Sequence, residues 1–371
     1  MTTNRGLYIH IPFCIRKCAY CDFFSVALDT ELASRYIEEV CNELSLLMAA
    51  YPDTVIDTVY LGGGTPSVLP QSLLERLIAH IYKCAHVEIK EFSIEVNPCS
   101  SDKLSFYPSL GINRVSIGVQ ALQAGILKAI GRLHTPQEAL DTLSRAARLF
   151  PDVSADIMLG LPMQTVRDVE ETLKHILPYV THVSQYMLKL SESVPMGIAV
   201  KEKRMILPDD DLTADMYDAG SSIMQQYAFE RYEISNFARN KRYCMHNLKY
   251  WNRQEYIGLG AAAHSFIKGV RYENPSDMNA YLNGEHLGNG RAVKTDISVK
   301  DALFEYIMLK FRLEEGFEVA EINHLFHIDF NEKYKEEIGA LIELLDFNNG
   351  RIRIKKEKML LESYVAKKFL K

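Results

Sequence analysis

Short apolar runs alternate along this chain with longer stretches rich in Leu, Ala, Glu and Lys. Residues 6–12 read GLYIHIP and predict a first strand that contains Tyr8. Strand-like runs recur at 57–64 (DTVYLGGG), 92–98 (FSIEVNP), 114–120 (RVSIGVQ), 153–162 (VSADIMLGLP) and 182–188 (HVSQYML). Helical stretches fall between them at 30–50, 70–84, 122–130, 136–149 and 165–177. Strands and helices taking turns predict parallel βα units. In sheets and barrels of that kind, ligand sites gather at the C-terminal ends of the strands. The residues that carry chemistry fall there: a cysteine cluster, the Gly62–Gly64 turn, Glu95, Gln120 and Asp156.

The pattern changes after about residue 190. Residues 189–208 read as a connection, 209–227 as helical, and 229–275 as mixed strand and loop returning to the core. A turn-rich stretch at 275–290 marks a boundary. Beyond it, 298–316 and 319–330 look helical, and 350–363 (GRIRIKKEKMLLES) alternates like a small hairpin. The expected division is a core with its extension over 1–280 and a mainly helical, winged-helix-like domain over 281–371.

Composition narrows the class. The chain has 371 residues, 47% hydrophobic and 24% charged, which is globular and long enough to bury a sizeable core. A net charge of −6 gives no bulk attraction to nucleic acid, and no Lys/Arg cluster is dense enough for a membrane surface. The opening MTTNRGLYIHIPFC lacks the basic and apolar regions of a signal peptide. No apolar run reaches the ~20 residues a membrane span needs. A cytoplasmic, thiol-reducing setting is therefore expected.

In that setting clustered cysteines read as metal ligands. Residues 14–24, CIRKCAYCDFF, place Cys14, Cys18 and Cys21 in one loop. Structural zinc wants four ligands, commonly two pairs, and no second pair is near. Thiolates alone serve an iron–sulfur cluster better. A [4Fe–4S] cube normally takes four, so three leave one iron open to a further ligand. Cys41, Cys84 and Cys99 are scattered and read as inert.

The motifs in order, CxxxCxxC, LGGGTPS, SIEVNP, SIGVQ, GRLH and ADIMLGLP, resemble the radical S-adenosylmethionine (SAM) superfamily. The likeness is to its anaerobic coproporphyrinogen-III oxidase-like family, on the HemW haem chaperone branch. It implies a partial (β/α)6 TIM-like barrel, a [4Fe–4S] cluster and SAM chelating the open iron. In active members an electron from the cluster cleaves SAM to a 5′-deoxyadenosyl radical. Matched by motif, the implied SAM contacts are Tyr8, Gly63, Gly64, Thr65, Glu95, Gln120, Arg132 and Asp156. Glycine in that turn lets backbone approach a ligand closely.

Three features separate the branches. The oxidase resembles CxxxCxxCxC, whereas Phe23 stands at the further cysteine's place. Only seven residues precede Tyr8, where the oxidase has an extended segment. Residues 244–251, CMHNLKYW, contain HNxxYW and resemble the chaperone branch instead. His246 is the implied haem ligand, beside Tyr250 and Trp251, with Cys244 and His264 in reserve. His10 reads as a loop-shaping residue. The implied function is a haem chaperone that binds haem, the cluster and SAM and passes haem to an acceptor protein. It has room for a transient membrane association with that acceptor, and for a flavodoxin or ferredoxin as electron donor if SAM is cleaved. The alternative is an oxygen-independent coproporphyrinogen III oxidase, or another tetrapyrrole-modifying radical SAM enzyme.

Overall fold

The computed structural model describes residues 2–286 and 293–370. One twelve-stranded sheet organises the larger part. Its centre is parallel, in the order Tyr256–Leu259, Thr3–Ile11, Thr54–Gly63, His86–Val96, Arg114–Gln120, Asp152–Leu159 and His182–Met187. Antiparallel strands extend both edges: His264–Ile267, Val270–Glu273 and Val293–Asp296 on one side, Asn236–Ala238 and Glu230–Arg231 on the other.

The crossover helices start where their capping chemistry says. Asp29 accepts the Leu32 amide to open Thr30–Ala50. Thr135 with Glu138, and Thr165 with Asp168, form reciprocal capping boxes for Pro136–Leu149 and Val166–Ile176. The expected elements lie close to these bounds. The strand expected from 92 begins at His86, because its first residues alternate with exposed charged groups and show little apolar signal. The run from 153 stops at Leu159, where Gly160 turns the chain at φ +77°.

Along each parallel strand the residues divide by face. Leu7, Ile9, Ile11, Val59, Leu61, Phe92, Ile94, Val115, Ile117, Val153 and Ala155 join the buried core under the helices. Between them stand Tyr8, His10, Thr58, Tyr60, Glu91, Ser93, Glu95, Arg114, Ser116, Ser154, Asp156, His182 and Ser184. These bond one another across strands, Tyr60 to Glu95, Ser116 to Asp156 and Ser154 to His182, and so line a polar lumen. A parallel strand buried on both faces is normally apolar throughout. The period of two here marks a face kept for polar groups.

The C-terminal part has its own core of Leu303, Phe311, Phe317, Ile322, Phe330, Tyr334 and Phe369. Helices surround a three-stranded sheet of Phe317–Glu318, Arg351–Ile354 and Leu345–Asn348. The hairpin expected over 350–363 forms one strand earlier. Asn349 and Gly350 both take positive φ and make the turn, while Lys356–Leu361 and Glu362–Lys368 are helical. Of the expected boundary stretch 275–290, residues 287–290 lie outside the described residues. Val293–Asp296 pairs with Val270–Glu273 and so belongs to the large sheet. Among the described residues, no helix is long and apolar enough to cross a membrane.

Candidate functional site

The strand Thr3–Ile11 delivers the chain to a loop at the C-terminal end of the sheet, and that loop carries the three cysteines. None of the three is in a disulfide, and all are half-buried. Phe13 and Cys14 pair with Val26 and Ala27, closing the loop at its base. Within it the Cys21 amide bonds the Cys18 carbonyl. Cys14 Sγ lies 3.6 Å from Thr65 Oγ1, and Arg132 Nη1 donates to Cys18 Sγ at 3.7 Å. Burial is the main influence raising the Cys21 thiol's pKa.

Among the described residues no three His, Cys, Asp or Glu side chains converge as the ligands of a single ion do. A cube asks for a different arrangement, in which each thiolate meets a different iron. Three free thiols with a guanidinium beside one of them fit such a cluster.

The glycine turn beside the loop has a physical reason that the sequence did not show. A Cβ on Gly64 would stand 2.8 Å from the Phe13 carbonyl and 2.9 Å from that of Ile11. Gly63 has φ +114°, and a Cβ there would strike the His10 ring at 2.6 Å. The protein's own strand-to-loop packing therefore demands these glycines. The Gly64 and Thr65 amides donate to the Ile11 and Phe13 carbonyls and lock turn to loop.

Glu95 sits at the centre of the upper lumen. It accepts from the Gly63 amide at 3.1 Å and from the Tyr60 hydroxyl at 3.1 Å. Burial, with the charge of Asp156 second, pushes its pKa up to about 7. Asp156 accepts from the Ser116 hydroxyl at 3.0 and 3.1 Å; burial raises its pKa, against the pull of Ser184 and Ser116. Two carboxylates sharing one partly dry lumen are poised for cations or hydroxyl donors. Tyr8 stacks on Tyr60, and its hydroxyl meets His10 Nδ1 at 3.0 Å. His10 Nε2 meets the Phe24 carbonyl at 3.0 Å, so His10 shapes the loop.

Arg132 crosses from the far side. Its guanidinium also bonds the Gly118 carbonyl and Asn97 Oδ1, while Nε is buried with no partner among the described residues. Gln120, at φ +65° on the strand end, lies over the same Gly118. Tyr8, Gly63, Gly64, Thr65, Glu95, Gln120, Arg132 and Asp156 are thus brought to one end of the sheet with the cysteines. Sequence reasoning missed Tyr60, Asn97 and Ser116. The strand period would have flagged Tyr60 and Ser116, since Tyr60 lies two residues from Gly62 and Ser116 four from Gln120. Cys99 is exposed and donates to Asn97 Oδ1, which places it beside the Arg132 network.

His246 stands apart, lower in the lumen. It lies on the short helix Met245–Trp251, whose first amides are held by the buried Glu91 carboxylate. The ring is 1% exposed. Nδ1 meets Thr58 Oγ1 at 2.9 Å and Nε2 meets the Tyr250 hydroxyl at 2.8 Å. Burial, then the Lys249 charge, lowers its pKa to about 3, so the imidazole is neutral. Trp251 lies under the Arg312 guanidinium of the C-terminal part at 4.3 Å. Neighbouring ion pairs, Arg253–Glu305 and Arg312–Glu233, fasten the same floor to that part. Cys244 is buried against Glu91, and burial drives its thiol pKa far up. His264 is exposed on an antiparallel strand.

The family model described as the Radical SAM superfamily matches residues 8–176, and that of the HemN C-terminal domain matches 297–361. The chain is 34% identical over 373 residues to a protein named heme chaperone HemW from Buchnera aphidicola subsp. Schizaphis graminum, covering 96% of each. The chain belongs to the HemW family. The HemW of Escherichia coli is 34% identical, with 84% of this chain and 83% of that protein covered. A radical S-adenosyl methionine domain-containing protein 1, mitochondrial, of Danio rerio is 36% identical over 84% of this chain and 73% of its own. Among solved structures, coproporphyrinogen III oxidase (HemN) of Escherichia coli superposes with a TM-score of 0.86 over 99% of this chain and 90% of that one, at 19% identity. That likeness speaks for the fold alone. Membership of the radical SAM superfamily implies a [4Fe–4S] cluster and SAM.

Proposed function

We propose that this chain is a haem chaperone of the HemW type. The observation that carries the reading is the match, over 96% of both chains, to a relative bearing that name. In this reading Cys14, Cys18 and Cys21 hold the cluster, and the upper lumen holds SAM. When bound, the cluster supplies single electrons and SAM the group able to receive one.

The chain's own groups have separable tasks. Arg132 donates to Cys18 and so helps hold that sulfur in place at the loop. Glu95 and Asp156 offer acceptors to the ligand's hydroxyl and ammonium groups. Gly63, Gly64 and Thr65 hold the turn against the cysteine loop, Tyr8 forms one wall, and Gln120 and Arg132 form the opposite rim.

Haem is the cargo and His246 its candidate ligand. Both ring nitrogens are engaged in the described conformation, so binding iron through Nε2 requires the Tyr250 hydroxyl to leave it. The helix bearing His246 and Trp251 is also the seat of the C-terminal part. We therefore assign the expected C-terminal domain, 281–371, a docking or lid role beside the core over 1–280, to which its strand Val293–Asp296 is joined through the large sheet. A haem-acceptor protein is the implied partner, with a flavodoxin- or ferredoxin-like donor where SAM is cleaved.

Anaerobic reconstitution followed by two assays on one sample tests the reading. Haem should bind at about one per chain, with His246→Ala shifting the Soret band and weakening binding and Cys244→Ala doing less. The same sample, given SAM and a reductant, should leave coproporphyrinogen unconverted. Efficient decarboxylation, with haem binding indifferent to His246→Ala, would restore the oxidase.

A further inference from the structure

Tyr60 touches both halves of the lumen. Its hydroxyl donates to Glu95 Oε1 at 3.1 Å. Its ring stacks on His246, with centroids 5.4 Å apart and planes 30° from parallel. On the other side it stacks on Tyr8, at 6.3 Å and 27°. A cluster-side residue, a carboxylate of the upper lumen and the HNxxYW histidine are therefore joined by one side chain.

The surrounding backbone leaves room for this contact. A Cβ on Gly62 would stand 2.9 Å from Tyr60 Cε1 and 3.0 Å from Glu95 Oε1. A Cβ on Gly6 would stand 3.1 Å from His246 Cε1 and 3.1 Å from Thr58 Oγ1. Each glycine faces one end of the same stack, and a methyl group at either would push on it. Burial raises the Tyr60 phenol pKa well above its usual range, so it stays a hydrogen-bond donor.

We propose that Tyr60 is a positioning residue that links the two sites: it orients Glu95 toward the ligand of the upper lumen and transmits that ligand's arrival to the His246 ring. The physical chain is short. A ligand that draws on Glu95 changes the acceptor of the Tyr60 hydroxyl. The Tyr60 ring then settles differently, and the stacked imidazole feels the change. His246 in turn holds Tyr250 at Nε2, the hydrogen bond that must open for iron. Linkage makes the coupling reciprocal, so whatever rearranges His246 alters affinity in the upper lumen by the same factor. The inference rests on the assignment of SAM to the upper lumen, but it does not depend on haem being bound.

The test uses full-length protein with its cluster reconstituted and histidine ring nitrogens labelled with 15N, His246 being assigned through His246→Gln. Saturating SAM should shift the His246 ring resonances in the wild type. In Tyr60→Phe, which keeps the ring and removes the hydroxyl, the resting resonances should stay. The SAM-induced shift should fall to half or less, and SAM should bind about five-fold more weakly by calorimetry. In Tyr60→Leu, which removes the stack as well, the resting resonances should move and the SAM response should vanish. If Tyr60→Leu loses its cluster, Tyr60→Phe decides alone. A wild-type His246 that ignores SAM, or a full response in Tyr60→Phe, overturns the proposal. So does a wild type that takes up no SAM. Failure to bind haem would leave every one of these readouts in place and would count against the chaperone reading instead.

Discussion

The upper and lower halves of the lumen are made by the same parallel strands and finished differently. Above, Glu95 and Asp156 face one another, Glu95 with its pKa lifted to about 7. Arg132 keeps a buried Nε without a partner among the described residues. Below, Glu91 caps the Met245–Trp251 helix, Lys249 pairs with Asp57, and both nitrogens of His246 are bonded. The difference lies in what closes each end. A loop of cysteines and glycines stands over the top, while a helix and the C-terminal part seal the bottom. Polar groups with spare bonding capacity mark a place for a ligand. Around His246 the polar groups satisfy one another, as a built floor requires, because a buried unpaired group is expensive; at its edge Trp251 Nε1 and Arg312 Nε stay without partners among the described residues.

Breaking each half should give distinct results. The largest effect is expected at the loop. Cys14→Ala, Cys18→Ala or Cys21→Ala should each take reconstituted protein from about four irons per chain to nearly none. Iron and sulfide analysis checks this, and retention of a full cluster in any of the three would remove that cysteine from the ligand set.

Next comes the floor. His246→Ala empties a buried site and strands Thr58 and Tyr250, so it should cost about 2–4 kcal/mol in denaturant unfolding. Tyr250→Phe should cost less, about 1 kcal/mol, and leave Nε2 of His246 uncovered for haem iron. If His246→Ala unfolds at the wild-type denaturant concentration, the lower half is not the closed structure described.

Asp156→Ala should then separate the halves. It should weaken SAM binding about ten-fold, measured by calorimetry, with iron content unchanged and unfolding little affected. Equal affinity in the two proteins would take Asp156 out of the site.

A smaller effect is expected from pH. Glu95 titrates near 7 when folded, against 4.5 as its ordinary value. The folded chain therefore holds a proton that the unfolded chain has released between those values. The contribution to stability is full below about pH 4.5 and is lost as pH rises through 7. Ligand-free wild type should lose more stability than Glu95→Gln between pH 5 and 8, read from denaturant midpoints. Parallel pH profiles would mean that Glu95 titrates normally. Last, Cys99→Ala should leave iron content as it was, even though Cys99 borders the Arg132 network.

Much of this was legible in the residues. The six strand runs and five helical stretches stood out because one face of each element must be apolar to meet the core. The cysteine spacing marked Cys14, Cys18 and Cys21 as one group, and the structure puts them in one loop without a disulfide. The hairpin near 350 was misplaced by one strand, since periodicity alone does not say on which side of an Asn–Gly turn a strand lies. Residues 86–91 looked too polar for a strand because half of them face outward.

The sequence by itself determined the βα order, the cysteine loop and the family, since these depend on local patterning and on motifs whose order survives without contacts. Tertiary structure alone decided who meets whom inside the barrel. Residues far apart in the chain meet there: Glu91 meets Met245, Thr58 meets His246 and Tyr60 meets Glu95. Nothing local encodes such pairs. The register of neighbouring strands sets the height of each polar residue in the lumen, and that height separates the Glu95 carboxylate beside the glycine turn from the Glu91 carboxylate that caps a helix.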